Sequence, residues 1–261
     1  MEMAEVIYGI NAVQEALRSR GRGIHYVAIA RERHDERVQR VIDAARDAGI
    51  SVRLLPREEL GRIARTDLHQ GVVAMASGRA YAGIDDLLEN RRGEQAFLVV
   101  LDGIEDPHNL GAIIRTADAA GADGVIIPER RAASVTATVS KASAGASEHV
   151  PIARVTNIAR TIDELKQRNV WTVGLDERAD KSYDEVDYLM DCALVLGAEG
   201  HGLHDLVRRK CDFLVSIPML GQVASLNVSV AAAVVMYEIT RQRRAVAKAV
   251  DVGAGRQKRR R

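Results

Sequence analysis

The stretch FLVSIPMLGQVASLNVSVAAAVVMYEI, residues 213–239, predicts a strand, a loop and a helix in close succession. An apolar run that stops at Pro218 predicts a buried strand, and a glycine-containing loop follows it. Ser225 is then in position to cap a helix. Residues 230–236 are all apolar, and a helix that is apolar on every side must be buried on every side. Ser225 and Asn227 therefore lie where strand, loop and helix converge, although an ordinary helix cap explains them equally well.

Composition indicates a globular protein. The chain has 261 residues, of which 47% are hydrophobic and 28% are charged, as in soluble domains. This length allows one large domain or two smaller ones. No apolar stretch approaches the roughly 20 residues that cross a bilayer, and MEMAEVIYG does not read as a signal peptide. Cys192 and Cys211 lack metal-ligand spacing, so we expect reduced thiols in a cytoplasmic protein without a metal site.

Charge is unevenly distributed along the chain. Residues 241–261 carry nine basic side chains and one acidic one, whereas residues 80–240 carry 15 basic and 24 acidic side chains. The basic end is a candidate contact for nucleic acid. A solubilising disordered end explains it about as well.

The N-terminal part, residues 1–76, predicts a small alternating α/β unit. Its arginines suit phosphate contact, and a solvated surface explains them nearly as well. Residues 77–95 lose the periodicity, except around Ile84 to Leu88, and predict a linker. The expected strands are residues 25–30, 51–55 and 71–76, and the expected helices begin near Asn11, Glu36 and Pro56.

The second part opens with a βαβ pattern. Phe97 to Leu101 is a continuous apolar run, typical of a parallel strand buried on both faces. Asn109 is in position to cap a helix that ends before Gly121, and another strand follows. Arg115 and Asp118 share one side of that helix. The ordinary explanation of Arg115 is an exposed ion pair with Asp118, which contributes little.

A strand, a glycine turn and a helix start recur at CALVLGAEGHGL, residues 192–203. This geometry binds phosphates and dinucleotides in many proteins. Here the spacing is G-x-x-G-x-G rather than a dinucleotide fingerprint, and the carboxylate of Glu199 disfavours a phosphate. A neutral or cationic ligand held by backbone groups fits better, and S-adenosylmethionine is one such ligand.

Three motifs in this order and spacing resemble those of the SpoU/TrmH family of RNA ribose 2′-O-methyltransferases. They are DPHNLGAIIRTADAAG, LVLGAEGHGL and IPMLGQVASLNVSVA. YGINAVQEAL and HQGVVA also resemble members that carry an N-terminal RNA-binding domain. The resemblance extends from residue 6 to about residue 243.

The resemblance implies a fold of two α/β parts. A small RNA-binding domain would occupy residues 1–76, followed by the linker at 77–95. A Rossmann-like parallel-sheet methyltransferase domain with a C-terminal trefoil knot, the SPOUT architecture, would occupy residues 96–244. Residues 245–261 would form a basic, disordered tail. Family members are homodimers, with their sites beside the interface.

The resemblance also implies a site that uses S-adenosyl-L-methionine and no metal. It assigns Arg115 to the reactive 2′-hydroxyl or its adjacent phosphate. Either the RNA phosphate or another group would accept the proton, because a guanidinium is a poor base. The residues that would order the pocket are Asn109, Glu199, Ser225 and Asn227. Those that would contact the cofactor, largely through backbone groups, are Leu196, Gly197, Ile217, Met219 and Leu226.

The implied activity is 2′-O-methylation of a guanosine ribose in 23S ribosomal RNA. Within the family, a transfer-RNA methyltransferase or an antibiotic-resistance ribosomal methyltransferase is the alternative. A non-catalytic ribosome-assembly protein would keep the RNA-binding domain without needing the polar pocket residues. A nucleotide-dependent oxidoreductase is disfavoured by the glycine spacing.

Overall fold

The computed structural model describes residues 4–19 and 21–258 of the chain. Its backbone contacts divide the chain into two compact units. The first unit comprises residues 1–82, 106–118 and 133–152, and the second comprises residues 83–105, 119–132 and 153–261. The N-terminal residues thus share a unit with two segments from the middle of the chain. The sequence predicted a division at a single linker and did not predict this arrangement.

The first unit contains a four-stranded sheet in the order β1-β4-β2-β3, in which β2 and β3 are parallel and the other pairs are antiparallel. Helices α1 and α2 cover an apolar core that includes Val13, Val27 and Val41. The predicted strands and helices of the N-terminal part are confirmed within a residue or two. The bounds are β1 Glu5–Tyr8, α1 Ile10–Ser19, β2 Ile24–Ala30, α2 Glu36–Asp47, β3 Ser51–Leu55, α3 Arg57–Ala64 and β4 Val72–Ala76.

The segment expected to be a linker contains a helix, α4, at Ile84–Glu89. Leu87 of this helix is 1% exposed. A Cβ atom at Gly124 would lie 2.6 Å from the Leu87 side chain, so only glycine allows this approach. Part of the linker is therefore packed into the second unit.

The second unit contains a six-stranded sheet in the order β10-β8-β9-β5-β6-β7. The pairs β10–β8, β8–β9, β9–β5 and β5–β6 are parallel, so the carboxyl ends of these strands lie along one edge. The strands are β5 Phe97–Asp102, β6 Gly124–Pro128, β7 Ile152–Val155, β8 Trp171–Leu175, β9 Cys192–Gly197 and β10 Phe213–Val215. The helices of this half of the chain are α5 Pro107–Ala120, α6 Ala137–Ala142, α7 Ile158–Gln167, α8 Asp205–Lys210 and α9 Val228–Lys258.

Two predicted helix caps in this half of the chain are wrong. Helix α5 begins at Pro107, and the Asp106 carboxylate accepts hydrogen bonds from the backbone N–H groups of His108 (3.0 Å) and Asn109 (3.4 Å). Aspartate before a first-turn proline is the stronger start signal. Helix α9 begins at Val228, and its cap is Asn227 rather than Ser225. The Asn227 Oδ1 atom accepts from the Ser229 N–H at 2.9 Å.

The burial and the length of α9 also differ from those expected from the sequence. Ala232 and Met236 are buried, but Val230 is 49% exposed and Tyr237 is 51% exposed. The expectation of burial on every side is therefore wrong for the single chain. The helix continues to Lys258, so residues 245–258 are helical, whereas the expected tail was disordered. Residues 259–261 lie outside the described part.

The trefoil knot stays a prediction. Among the described residues, no helix is long and apolar enough to cross a membrane.

Candidate functional site

The second unit has a cavity of about 550 Å³ where β8 and β9 end and the segment before α9 passes. This volume lies within the usual range of small-ligand pockets. The cavity brings together eight residues that the sequence assigned to the site. They are Leu196, Gly197, Glu199, Ile217, Met219, Ser225, Leu226 and Asn227.

A closed turn at the end of β9 forms one wall of the cavity. The Ala198 N–H donates to the Gly202 carbonyl at 3.0 Å, and the Gly202 N–H donates to the Ala198 carbonyl at 2.9 Å. A Cβ atom at Gly197 would lie 2.1 Å from the Gly202 carbonyl carbon. Gly202 itself has a φ of +66°, which favours glycine. The glycine spacing therefore builds a turn that folds back onto its own strand.

Asp102, at the end of β5, holds the chain that follows this turn. Its side chain is 7% exposed, and its Oδ2 atom accepts from the His204 N–H at 2.8 Å. Its Oδ1 atom lies 3.0 Å from His204 Nδ1. Asp102 was not among the predicted site residues. The available signal was an acidic residue at the end of a strand that neighbours β9 in a parallel sheet.

A charged residue at the end of β8, Asp176, was not predicted from the sequence either. The Asp176 carboxylate is buried and accepts from the Arg178 backbone N–H at 2.9 Å, and it lies 2.7 Å from Arg208 Nε. Burial acts to raise the pKa of Asp176, but the hydrogen bonds from Arg178 and the charge of Arg208 lower it below its ordinary value. Arg178 lines the cavity and is paired with this carboxylate, so its charge is compensated.

Arg115 and Asn109 belong to α5 and to the first unit. Asn109 is 8% exposed, whereas Arg115 is exposed. The roles assigned to Arg115 and Asn109 stay predictions.

The two cysteines behave as core thiols. Burial raises the pKa of Cys192 to about 11 and that of Cys211 to about 12, so both are protonated near neutral pH. Neither is in a disulfide. In the described part of the chain, no three His, Cys, Asp or Glu side chains are grouped to hold a metal ion.

Comparison with known proteins identifies the family. Residues 96–237 match the SpoU rRNA Methylase family, and residues 6–82 match the domain described as RNA 2′-O ribose methyltransferase substrate binding. The chain belongs to the SpoU rRNA methylase family.

Named relatives span almost the whole chain. It is 48% identical over 244 residues to the putative TrmH family tRNA/rRNA methyltransferase YacO of Bacillus subtilis, which covers 93% of this chain and 97% of YacO. It is also 48% identical over 244 residues to the 23S rRNA (guanosine-2′-O-)-methyltransferase RlmB of Bordetella pertussis, covering 93% of this chain and 99% of RlmB.

A solved structure has the same fold. The SpoU methyltransferase AviRb from Streptomyces viridochromogenes, in complex with the cofactor AdoMet, superposes with a TM-score of 0.77 at 27% identity. The match covers 91% of this chain and 89% of AviRb. The expected α/β fold with a small N-terminal part and a parallel-sheet part is thus confirmed.

Proposed function

We propose that the protein transfers a methyl group from S-adenosyl-L-methionine to the ribose 2′-hydroxyl of a guanosine in 23S ribosomal RNA. The observation that carries the proposal is the cavity at Gly197, because eight residues that the family resemblance assigns to the site line it. Membership of the SpoU family supports the reaction, and the name of the Bordetella relative supports the nucleotide. Such a substrate implies a cytoplasmic protein.

The cavity suits a ligand that is cationic at its centre and otherwise neutral. Leu196, Ile217 and Met219 offer apolar contact, and Glu199 contributes a carboxylate. A phosphate would be poorly served, because Arg178 is already paired with Asp176. When bound, S-adenosylmethionine would supply an activated methyl group, and the backbone groups of the Gly197 turn would hold its neutral parts.

In this proposal the polar residues of the site act on the RNA. Arg115 holds the reactive ribose or its neighbouring phosphate and stabilises the negative charge that develops on the 2′-oxygen. Its planar guanidinium, with several N–H donors, suits both tasks. Glu199, Ser225 and Asn227 order the pocket, and Asn109 acts from the same helix as Arg115. No metal is needed, because the methyl group is already activated.

The substitution Arg115→Ala tests this assignment. The rate of methyl transfer to ribosomal RNA should fall by about 100-fold or more, as when a transition-state donor is removed. The dissociation constant for S-adenosylmethionine, measured by calorimetry, should change little. Arg160→Ala is a matched control, because Arg160 forms only an exposed pair with Glu164 on α7. Near-normal turnover by Arg115→Ala would remove Arg115 from the mechanism.

We also propose that two copies associate through the second unit. Leu220 is 99% exposed and Val223 is 71% exposed, and both precede α9. Val230 and Tyr237 of α9 are also about half exposed. Large exposed apolar side chains of this kind are typical of protein interfaces. A homodimer would bury these side chains.

A further inference from the structure

Three charged side chains from distant parts of the chain are buried together in the first unit. Only 1% of the Glu148 side chain is exposed, and the side chains of Arg22 and Arg79 are 6% and 8% exposed. Arg22 and Arg79 lie within residues 6–82, whereas Glu148 follows α6. The cluster therefore joins the two regions that match separate family descriptions, residues 6–82 and 96–237.

The contacts in this cluster are specific. Arg79 Nη2 lies 2.5 Å from Glu148 Oε1, and Arg79 Nη1 donates to the Ser147 carbonyl at 2.6 Å. Arg22 Nη1 lies 3.5 Å from the same Glu148 oxygen. Arg22 also pairs with Glu5, and its Nε atom donates to the Ser77 carbonyl at 3.1 Å. Glu148 is thus held from two directions.

Burying such charges has a cost that stability alone does not explain. Apolar residues of similar volume often replace a buried ion pair without loss of stability, but loss of one partner leaves an uncompensated charge. Among the described residues, Arg79 Nε has no hydrogen-bond partner, so the cluster is not fully satisfied. Burial lowers the pKa of Arg79, and Glu148 acts in the opposite direction. An arrangement of this kind fits a role in setting geometry.

Neighbouring contacts also connect the N-terminal part to the segment that follows α6. Glu15 of α1 lies 2.9 Å from His149, and the Ala82 N–H donates to the Ile152 carbonyl at 2.9 Å. A Cβ atom at Gly145 would lie 2.6 Å from the Glu15 Cβ. The backbone between α6 and β7 therefore lies directly against the N-terminal part.

The same segment contacts the helix that carries Arg115. A Cβ atom at Gly111 would lie 2.4 Å from the Ala142 Cβ and 2.9 Å from the Ser143 backbone nitrogen. Helices α5 and α6 thus touch backbone to backbone at Gly111. Arg115 follows Gly111 by four residues, about one helical turn.

We propose that Glu148, with Arg79 and Arg22, positions bound RNA with respect to Arg115 by locking the N-terminal part to the segment that supports α5. The inference rests on the proposed function for its substrate and for the role of Arg115. These three residues do not touch the reacting atoms. They hold the RNA-binding region in a fixed position relative to the helix that carries Arg115. RNA that binds to this region therefore reaches Arg115 in a fixed register.

Tryptic cleavage of the full-length protein tests, without any assay of activity, whether the Glu148 cluster locks the N-terminal part in place; we call this contact the lock. The Arg79 side chain is 8% exposed, whereas that of Arg91 in the same linker is 42% exposed. In the wild type, cleavage after Arg79 should be much slower than cleavage after Arg91. In Glu148→Gln, cleavage after Arg79 should accelerate by about tenfold or more, because the local opening no longer breaks the ion pair. Equal rates at the two sites in the wild type would overturn the lock.

Kinetics test the positioning role. At saturating ribosomal RNA, single-turnover methylation by Glu148→Gln should be about tenfold slower or worse, because misplacement of about 1 Å is costly. The dissociation constant for S-adenosylmethionine should stay within about twofold, since the cavity is in the second unit. The conservative change Arg79→Lys keeps the charge and should retain most of the rate. Arg168→Ala, which removes an exposed pair with Asp85, is the control.

The outcomes separate the inference from the proposed function. An unchanged rate at saturating RNA, or a defect confined to the KM for RNA, would overturn the positioning role. If Glu148→Gln does not fold by circular dichroism, Arg79→Gln replaces it, because Glu148 then keeps Arg22 as its partner. A wild type that methylates no ribosomal RNA would defeat the proposed function, and the tryptic comparison would still decide the lock.

Discussion

Gly197 stands at a position where no side chain fits. Its Cα faces the backbone of Gly202 and Leu203, and an added Cβ would lie 2.1 to 2.3 Å from their atoms. Backbone atoms cannot rotate away as a flexible side chain can. The turn that closes over Gly197 also forms a wall of the cavity. Any side chain at residue 197 must therefore displace that wall.

The change Gly197→Ala should abolish the binding of S-adenosylmethionine, because the shifted turn no longer presents its backbone groups. Isothermal calorimetry in the presence of a chelator measures this, and the wild type should bind equally well without metal. Gly93→Ala is the control, since an added Cβ there meets only the Gln95 carbonyl oxygen at 3.9 Å. Normal binding by Gly197→Ala would mean that the ligand site lies elsewhere.

Helix α9 carries its exposed apolar groups on one face. Val230 and Tyr237 are seven residues apart and therefore point in nearly the same direction. About half of each side chain is exposed in the single chain. Val246 is 45% exposed but lies roughly half a turn away from Tyr237 around the helix axis. The helix thus offers a test residue and a matched control.

A charge at Val230 should dissociate the proposed homodimer. A buried, unpaired carboxylate is costly to desolvate, so Val230→Glu should sediment as a monomer at concentrations where the wild type is a dimer. Val246→Glu should leave the sedimentation coefficient unchanged. A wild type that is monomeric, or a dimer that survives Val230→Glu, would contradict the proposed interface.

Element boundaries were largely predictable, and helix caps were not. Continuous apolar runs such as Phe97 to Leu101 and glycine stops such as Gly121 mark strands and helix ends well. Asn109 and Ser225 were assigned as caps, whereas the residues that do cap the helices, Asp106 and Asn227, stand within three positions of them. Several polar residues near a helix start are chemically able to cap it, and only the backbone geometry selects one.

The sequence predicted the individual helices and strands better than the way in which they combine into two units. The residues that line the cavity were assigned from the resemblance of three motifs to the SpoU/TrmH family, and the structure brings eight of them together. Glu148 was not singled out, since nothing in a single sequence indicates that it meets Arg79 across 68 intervening positions. For the same reason, the segments at 106–118 and 133–152 were not expected to join the N-terminal unit.

Positive charge alone does not determine which RNA the protein selects. Nine basic side chains at residues 241–261 can attract any polyanion, but phosphate contacts do not select a nucleotide. Selection must come from a surface with fixed geometry. The first unit contains residues 6–82, which match the RNA 2′-O ribose methyltransferase substrate-binding domain.

Mapping of 2′-O-methylated nucleotides in total RNA, from cells with and without the gene, is the most direct test of the proposed function. One guanosine of 23S ribosomal RNA should lose its 2′-O-methyl group without the gene. The wild-type gene should restore the group, and the gene encoding Arg115→Ala should not. A methylation map of 23S ribosomal RNA that is unchanged by loss of the gene, or a loss confined to transfer RNA, would contradict it.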